Sequence, residues 1–159
     1  MLLRGLGTNM PIKSYKGTIA DGGQDELSLR TIRGMVGYRV VKFDIFPTLP
    51  GTESVESTVA IWTKEQSSVS TTTATIDFTD GNLVAVAMYH DSSSEATTAQ
   101  TKIVFDNQVF NQNIFVTHTD TNSNIPINYY IELETIPLTE NQQSQITLAS
   151  LKEIYEAGT

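Results

Sequence analysis

Cysteine is missing from the 159 residues, so neither disulfides nor thiolate metal sites can hold this chain together. Long apolar runs are missing as well: none approaches the ~18 residues that a membrane-spanning helix needs. The leading MLLRGLGTNMPIK has two adjacent leucines before Arg4 and Gly5 and lacks the apolar centre of a signal peptide, so release from a cell would fall to lysis or a dedicated machine. Basic residues are scarce. Ten Lys and Arg face eighteen Asp and Glu, a net charge of −8, which argues against nucleic acid as the principal ligand because phosphate binding needs a basic footprint. There is no GxSxG turn, no phosphate-cradling glycine loop and no Ser/His/Asp arrangement at recognisable spacing, so enzymatic activity is not expected.

What is present is hydroxyl and amide. With 13 Ser, 22 Thr, 9 Asn and 8 Gln against 18 % charged residues, the surface has the character of exposed strand faces, common in extracellular and virion β-proteins. The length suits one domain. Charge is uneven: residues 1–42 carry seven cations and three acids, residues 43–159 three cations and fifteen acids. A cationic leading segment could dock on the anionic body of a neighbour, or its cations could be dispersed over strands and pair internally.

Along the chain, residues 1–14 show no periodicity and read as an extended N-terminal arm, with a single domain over 15–159. LSLRTIR alternates weakly, and VGYRVVKFDIF alternates well, placing Val41, Phe43 and Ile45 on one face and Tyr38, Val40, Lys42 and Asp44 on the other. After Pro47 and Pro50, STVAIWTK resumes with Val59 and Ile61 opposite Ala60 and Trp62. ATIDFT is expected as a strand with Ile76 and Phe78 inward, closed by an Asp80-Gly81-Asn82 hairpin turn that accepts positive φ, before the central strand LVAVAMY. Loops are expected at 90–101 and 119–126, and strands at KIVF, QNIFVTHT and INYYIELETI, the last with Tyr129, Ile131 and Leu133 opposite Tyr130, Glu132 and Glu134. Thr139 and Gln142 have capping-box spacing, and Leu148, Leu151, Ile154 and Tyr155 recur at helical spacing, which predicts a helix within 139–157 ended by Gly158. The fold class is mainly β: an antiparallel β-sandwich, jelly-roll-like, with a short C-terminal α-helix.

Four groups could carry chemistry. His118 and Asp120 share a strand face, as His90 neighbours Asp91, yet no third ligand is visible and hydrogen-bonded surface histidines are the plainer reading. Glu132 and Glu134 project from one face roughly 7 Å apart, compatible with a glycosidase pair but equally with a solvated or subunit-contacting face. Asp77, Asp80 and Asn82 could offer oxygens to Ca²⁺, though the spacing is that of a turn. Of Trp62, Tyr129 and Tyr130, the first reads as half-buried core, and alternation leaves one tyrosine, the outward Tyr130, as a surface aromatic contact for a glycan.

GTIADGGQDELSLRTIRGMVGYRVVKFDIFP, with FDNQVFNQNIFVTHTD and its continuation NYYIELETIPLTENQQSQITLASLKEIYE, resembles small uncharacterised virion structural proteins of marine bacteriophages. The resemblance covers most of the chain, carries no functional signature and implies a virion location. The expectation is a non-enzymatic capsid shell or capsid decoration subunit, with a tail or neck subunit or a receptor- or glycan-binding module as the alternative. Its partners would be copies of itself and other capsid or virion proteins, with a glycan or host receptor as a further candidate; no membrane, nucleic acid, cofactor or metal is expected. Arg4, Lys13, Lys16, Leu148, Leu151, Ile154 and Tyr155 are the expected assembly contacts.

Overall fold

A computed structural model describes residues 11–29, 35–92, 98–105, 108–139, 141–146 and 148. Its strands are β1 (Ile12–Ile19), β2 (Gln24–Leu27), β3 (Val36–Pro47), β4 (Val55–Trp62), β5 (Leu83–Asp91), β6 (Thr98–Val104), β7 (Ile114–Asp120) and β8 (Ile127–Pro137). They form a three-stranded sheet in the order β1-β8-β3 and a five-stranded sheet in the order β2-β7-β4-β5-β6, antiparallel throughout. The two sheets share one core, to which β8 contributes Ile131 and Leu133, β3 Phe43 and Ile45, β4 Val59 and Ile61, and β7 Ile114 and Val116. The molecule is mainly β, two antiparallel sheets followed by a helical turn at 141–146.

β8 follows its sequence alternation, with Ile127, Tyr129, Ile131 and Leu133 buried and Asn128, Tyr130, Glu132 and Glu134 on the outer face. β3 does not. A β-bulge between Val40 and Lys42 puts one extra residue into the strand and flips the alternation, so Tyr38 and Val40 join Phe43 and Ile45 in the core. Val41, expected beside Phe43, lies outside at 44 % exposure.

The lead-in is shorter than its composition indicates, because Ile12, Lys13 and Ser14 pair with Glu134, Leu133 and Glu132 as the start of β1; residues 1–10 lie outside the described residues. β1 turns into β2 through Ala20–Gly23, where the Gly23 N–H donates to Ala20 O at 2.9 Å and Gly22 takes φ 75°, the left-handed value that the third position of a type II turn requires. β2 ends at Leu27, before most of the alternating LSLRTIR. The expected strand at 74–79 does not form. Residues 63–82 instead cross the outer face of the five-stranded sheet, where Ile76 packs on the Ala60, Trp62, Leu83 and Val86 cluster and Phe78 meets Phe105 edge-to-face with centroids 5.1 Å apart. Gln24 and Gln66 pin this crossing reciprocally (Nε2 to O 3.1 Å, N to Oε1 2.8 Å), and Thr119 Oγ1 donates to Ser70 O at 2.8 Å. The crossing explains why β4 is buried on both faces.

Asp80–Leu83 does close a turn, through the Leu83 N–H to Asp80 O at 3.2 Å, but without positive φ and without joining two strands, since β5 pairs with β4. The loops at 90–101 and 119–126, after β5 and β7, are narrower than expected: β5 continues to Asp91, β6 starts at Thr98 and β7 reaches Asp120. At the C-terminal end the capping box forms as its spacing predicts, with the Thr139 N–H donating to Gln142 Oε1 at 2.9 Å and the Gln142 N–H to Thr139 Oγ1 at 3.2 Å.

Each sheet edge carries a feature that interrupts further pairing. β2 is four residues long, β1 bears Lys13 and Lys16, and β6 bears Lys102, whose ammonium joins Asp44 of β3. The β3 edge is met by Phe110 in a two-bond bridge at Tyr38 and by Gln100 Nε2, which donates to Ile45 O at 3.3 Å.

Candidate functional site

The outer face of the three-stranded sheet gathers side chains from distant parts of the chain into rungs set by strand register. Asp44, Tyr130 and Lys16 share one rung, and Phe46, Asn128 and Thr18 the next. Between them lies a groove of about 490 Å³ lined by Lys16, Thr18, Asp44, Phe46, Asn128 and Tyr130. Phe46 is 61 % exposed although Phe43, three residues earlier, is wholly buried. Past the bulge, alternation directs Phe46 outward just before Pro47 ends the strand.

Tyr130 is held by its neighbours: its hydroxyl donates to Glu132 Oε1 at 2.8 Å, and Lys42 Nζ stands 5.8 Å from its ring centroid. The hydrogen bond to Glu132 and then desolvation raise the phenol above its ordinary value. The other cations of this face are matched by carboxylates, Arg39 with Glu134 and Lys42 with Asp44, which Lys102 also meets. Arg39 and Lys42 therefore pair within the molecule, the second of the two readings of the cationic segment.

Sequence reasoning brings Lys16 and Tyr130 to this groove without linking them; it misses Phe46, whose partners come from β8 and β1 and are visible only once the register is known. Lys13 lies elsewhere, donating to the Tyr38 hydroxyl at 3.4 Å with its ammonium 5.3 Å from that ring. Leu148 is 65 % exposed, and Arg4, Leu151, Ile154 and Tyr155 lie outside the described residues. Glu132 and Glu134 are engaged by Tyr130 and Arg39, and neither lines the groove. Trp62 is more deeply buried than expected, 7 % exposed, with Nε1 donating to Thr117 Oγ1 at 2.9 Å. Asp77 Oδ1 accepts from the Thr79 N–H and Oγ1, and Asp80 Oδ1 from the Asn82 N–H, so these oxygens serve local turns. Among the described residues no three His, Asp or Glu side chains converge as a metal site would require.

His118 is not a surface residue. It is fully buried between the sheets, with Nδ1 3.1 Å from Ile19 O and Nε2 3.0 Å from Ser57 Oγ. A carbonyl only accepts, so Nδ1 carries the hydrogen, and in the neutral ring that burial favours Nε2 accepts from the Ser57 hydroxyl. Burial holds the ring below its ordinary 6.5 although Asp21 and Asp120 pull the other way. The unfolded chain therefore takes up a proton near pH 6.5 that the folded chain refuses; stability is full above that pH and falls as pH drops below it. Urea midpoints should accordingly be lower at pH 5.5 than at pH 7.5, and His118→Gln should remove most of that difference; an equal difference in the variant would show that other groups cause it. His90 by contrast is exposed, its Nδ1 3.6 Å from Glu56 Oε1.

Compared with known proteins, the chain matches no family model and no curated protein.

Proposed function

We propose that this protein is a non-enzymatic bacteriophage virion structural protein with a jelly-roll fold, a capsid shell or capsid decoration subunit that assembles with its own copies or on another capsid protein. The observation that carries the reading is the nesting of strand pairs. β1 lies on β8, β2 on β7 and β4 on β5 by backbone hydrogen bonds, while β3 and β6 face each other through Gln100 to Ile45 O and Lys102 to Asp44. A long hairpin rolled across two sheets gives this nesting, and rolled hairpins of eight strands recur in viral capsid and lectin domains. The departure is that β6 remains hydrogen-bonded to β5 in the five-stranded sheet.

The hydroxyl-rich acidic surface and the resemblance to marine-phage proteins support the same reading. Contacts to neighbours are assigned to Arg4, Lys13 and Lys16 and to the terminal Leu148, Leu151, Ile154 and Tyr155. Quantitative mass spectrometry of purified particles tests it: a copy number that scales with the major shell protein is expected. A few copies per particle would move the protein to the tail or neck, and absence from particles would overturn the reading.

A further inference from the structure

Lys16 is the one cation on the outer face of the three-stranded sheet with no carboxylate in ion-pair contact among the described residues, its neighbours Arg39 and Lys42 being matched by Glu134 and Asp44. It lines a groove together with the aromatic side chains of Phe46 and Tyr130. Phe46 offers an exposed ring, and Tyr130 is fixed beside it by Glu132 and Lys42. Opposite Phe46, Asn128 Oδ1 is occupied by the Thr18 hydroxyl at 2.6 Å, which leaves the Asn128 amide hydrogens as donors to a ligand. The groove's 490 Å³ falls within the roughly 300–1,000 Å³ typical of small-ligand sites.

The pattern selects a ligand chemistry. An apolar peptide segment would leave the ammonium, amide and hydroxyl at the rim unanswered, and burying them unpaired is unfavourable. A pyranose has an apolar C–H face, which suits the electron-rich face of an aromatic ring, and a hydroxyl edge that exchanges hydrogen bonds with amides and hydroxyls. The lone ammonium adds a preference for a negative substituent.

We propose that this groove binds one uronic-acid residue of an acidic polysaccharide, its C–H face on Phe46, its hydroxyls on Asn128 and Thr18 and its carboxylate on Lys16. Binding can be read whatever the protein's place in a particle.

The test uses the full chain passed over immobilised oligogalacturonate, with a maltooligosaccharide of equal length as the neutral counterpart, so that multivalent display reveals weak sites. Retention on the uronate should exceed that on the neutral sugar. Phe46→Ala should weaken it about tenfold or more, and Lys16→Gln should abolish the preference for the uronate while Lys16→Arg keeps it. Because both side chains are exposed, these variants retain the fold, which a melting curve verifies. No retention, equal retention of both sugars, or retention unchanged in Phe46→Ala and Lys16→Gln would overturn the proposal. So would a Phe46→Ala variant that sediments as a smaller species than the parent, which would make the ring a contact between copies.

Discussion

Phe43→Ala should lower the unfolding free energy by about 3–5 kcal/mol, the usual range for emptying a buried phenylalanine site. Phe43 has no exposed surface and sits where β3 faces the five-stranded sheet, so the removed ring leaves a void bounded by side chains from both sheets. The collapse that softens such losses elsewhere is restricted here, because β3 is anchored on one side by β8 and bridged on the other at Phe110. A melting temperature lower by roughly 10 °C should accompany it. The companion variant Val41→Ala should stay within about 0.5 kcal/mol, as expected of a surface change. The contrast depends on the bulge. Plain alternation would put Val41 and Phe43 on the same buried face, and a large loss at Val41 would mean that the bulge between Val40 and Lys42 is absent in solution.

Asp120→Ala should be the second severe change, about 2–4 kcal/mol, because it removes a buried charged acceptor from four part-buried N–H donors. Asp120 Oδ1 accepts from the N–H groups of Glu56 (3.1 Å), Asn122 (3.1 Å) and Ser123 (3.3 Å), and Oδ2 from that of Ile125 (2.9 Å). One carboxylate thus fixes the turn from β7 to β8 and ties it to the start of β4. Desolvation raises its pKa, yet the four N–H bonds outweigh it and hold the carboxyl below its ordinary 3.8. For an acid with a depressed folded value, the stabilisation is present above the unfolded value and is lost as pH falls through the folded one. Acid titration followed by circular dichroism should show the parent losing stability in that low range while Asp120→Ala, already destabilised, has a flatter profile there. Parallel profiles would mean that the carboxylate is not ionised in the folded state.

How far the sequence revealed this molecule depends on whether each signal was local. β8 was legible because it sits in the middle of its sheet with one face on the core, so Tyr129, Ile131 and Leu133 alternate with Tyr130, Glu132 and Glu134 without interruption. The capping box was legible because both partners lie within one helical turn. β1 was hidden because, as an edge strand, it buries little: Tyr15, Gly17 and Ile19 are its inward set, and Gly17 has no side chain. A larger residue there would displace Tyr129, since a Cβ on Gly17 would come 2.7 Å from the Tyr129 hydroxyl, which donates to Asp25 Oδ2 at 3.0 Å and links the sheets. Ile76 and Phe78 misled for the opposite reason. Their spacing fits a strand, but Ile76 is half-buried by lying on the outer face of the five-stranded sheet and Phe78, expected inward, is 56 % exposed beside Phe105, and period-2 spacing cannot distinguish the two arrangements. The groove was least legible, because Phe46, Tyr130 and Lys16 meet only through the β3-β8-β1 register.

The interrupted sheet edges have a consequence for behaviour in concentrated solution. Cross-β growth needs an open strand that templates the next chain, and here Lys102 of β6, the lysines of β1, the brevity of β2 and the Phe110 bridge on β3 each disfavour that templating. Neighbours then meet through side chains rather than by strand pairing, and where sheet faces meet, the separation is set by side-chain packing, ~10 Å between sheets rather than the ~4.8 Å of paired strands. Such contacts are individually weak and reversible, so misplaced molecules can leave and rebind, and crowding many copies together need not end in fibres.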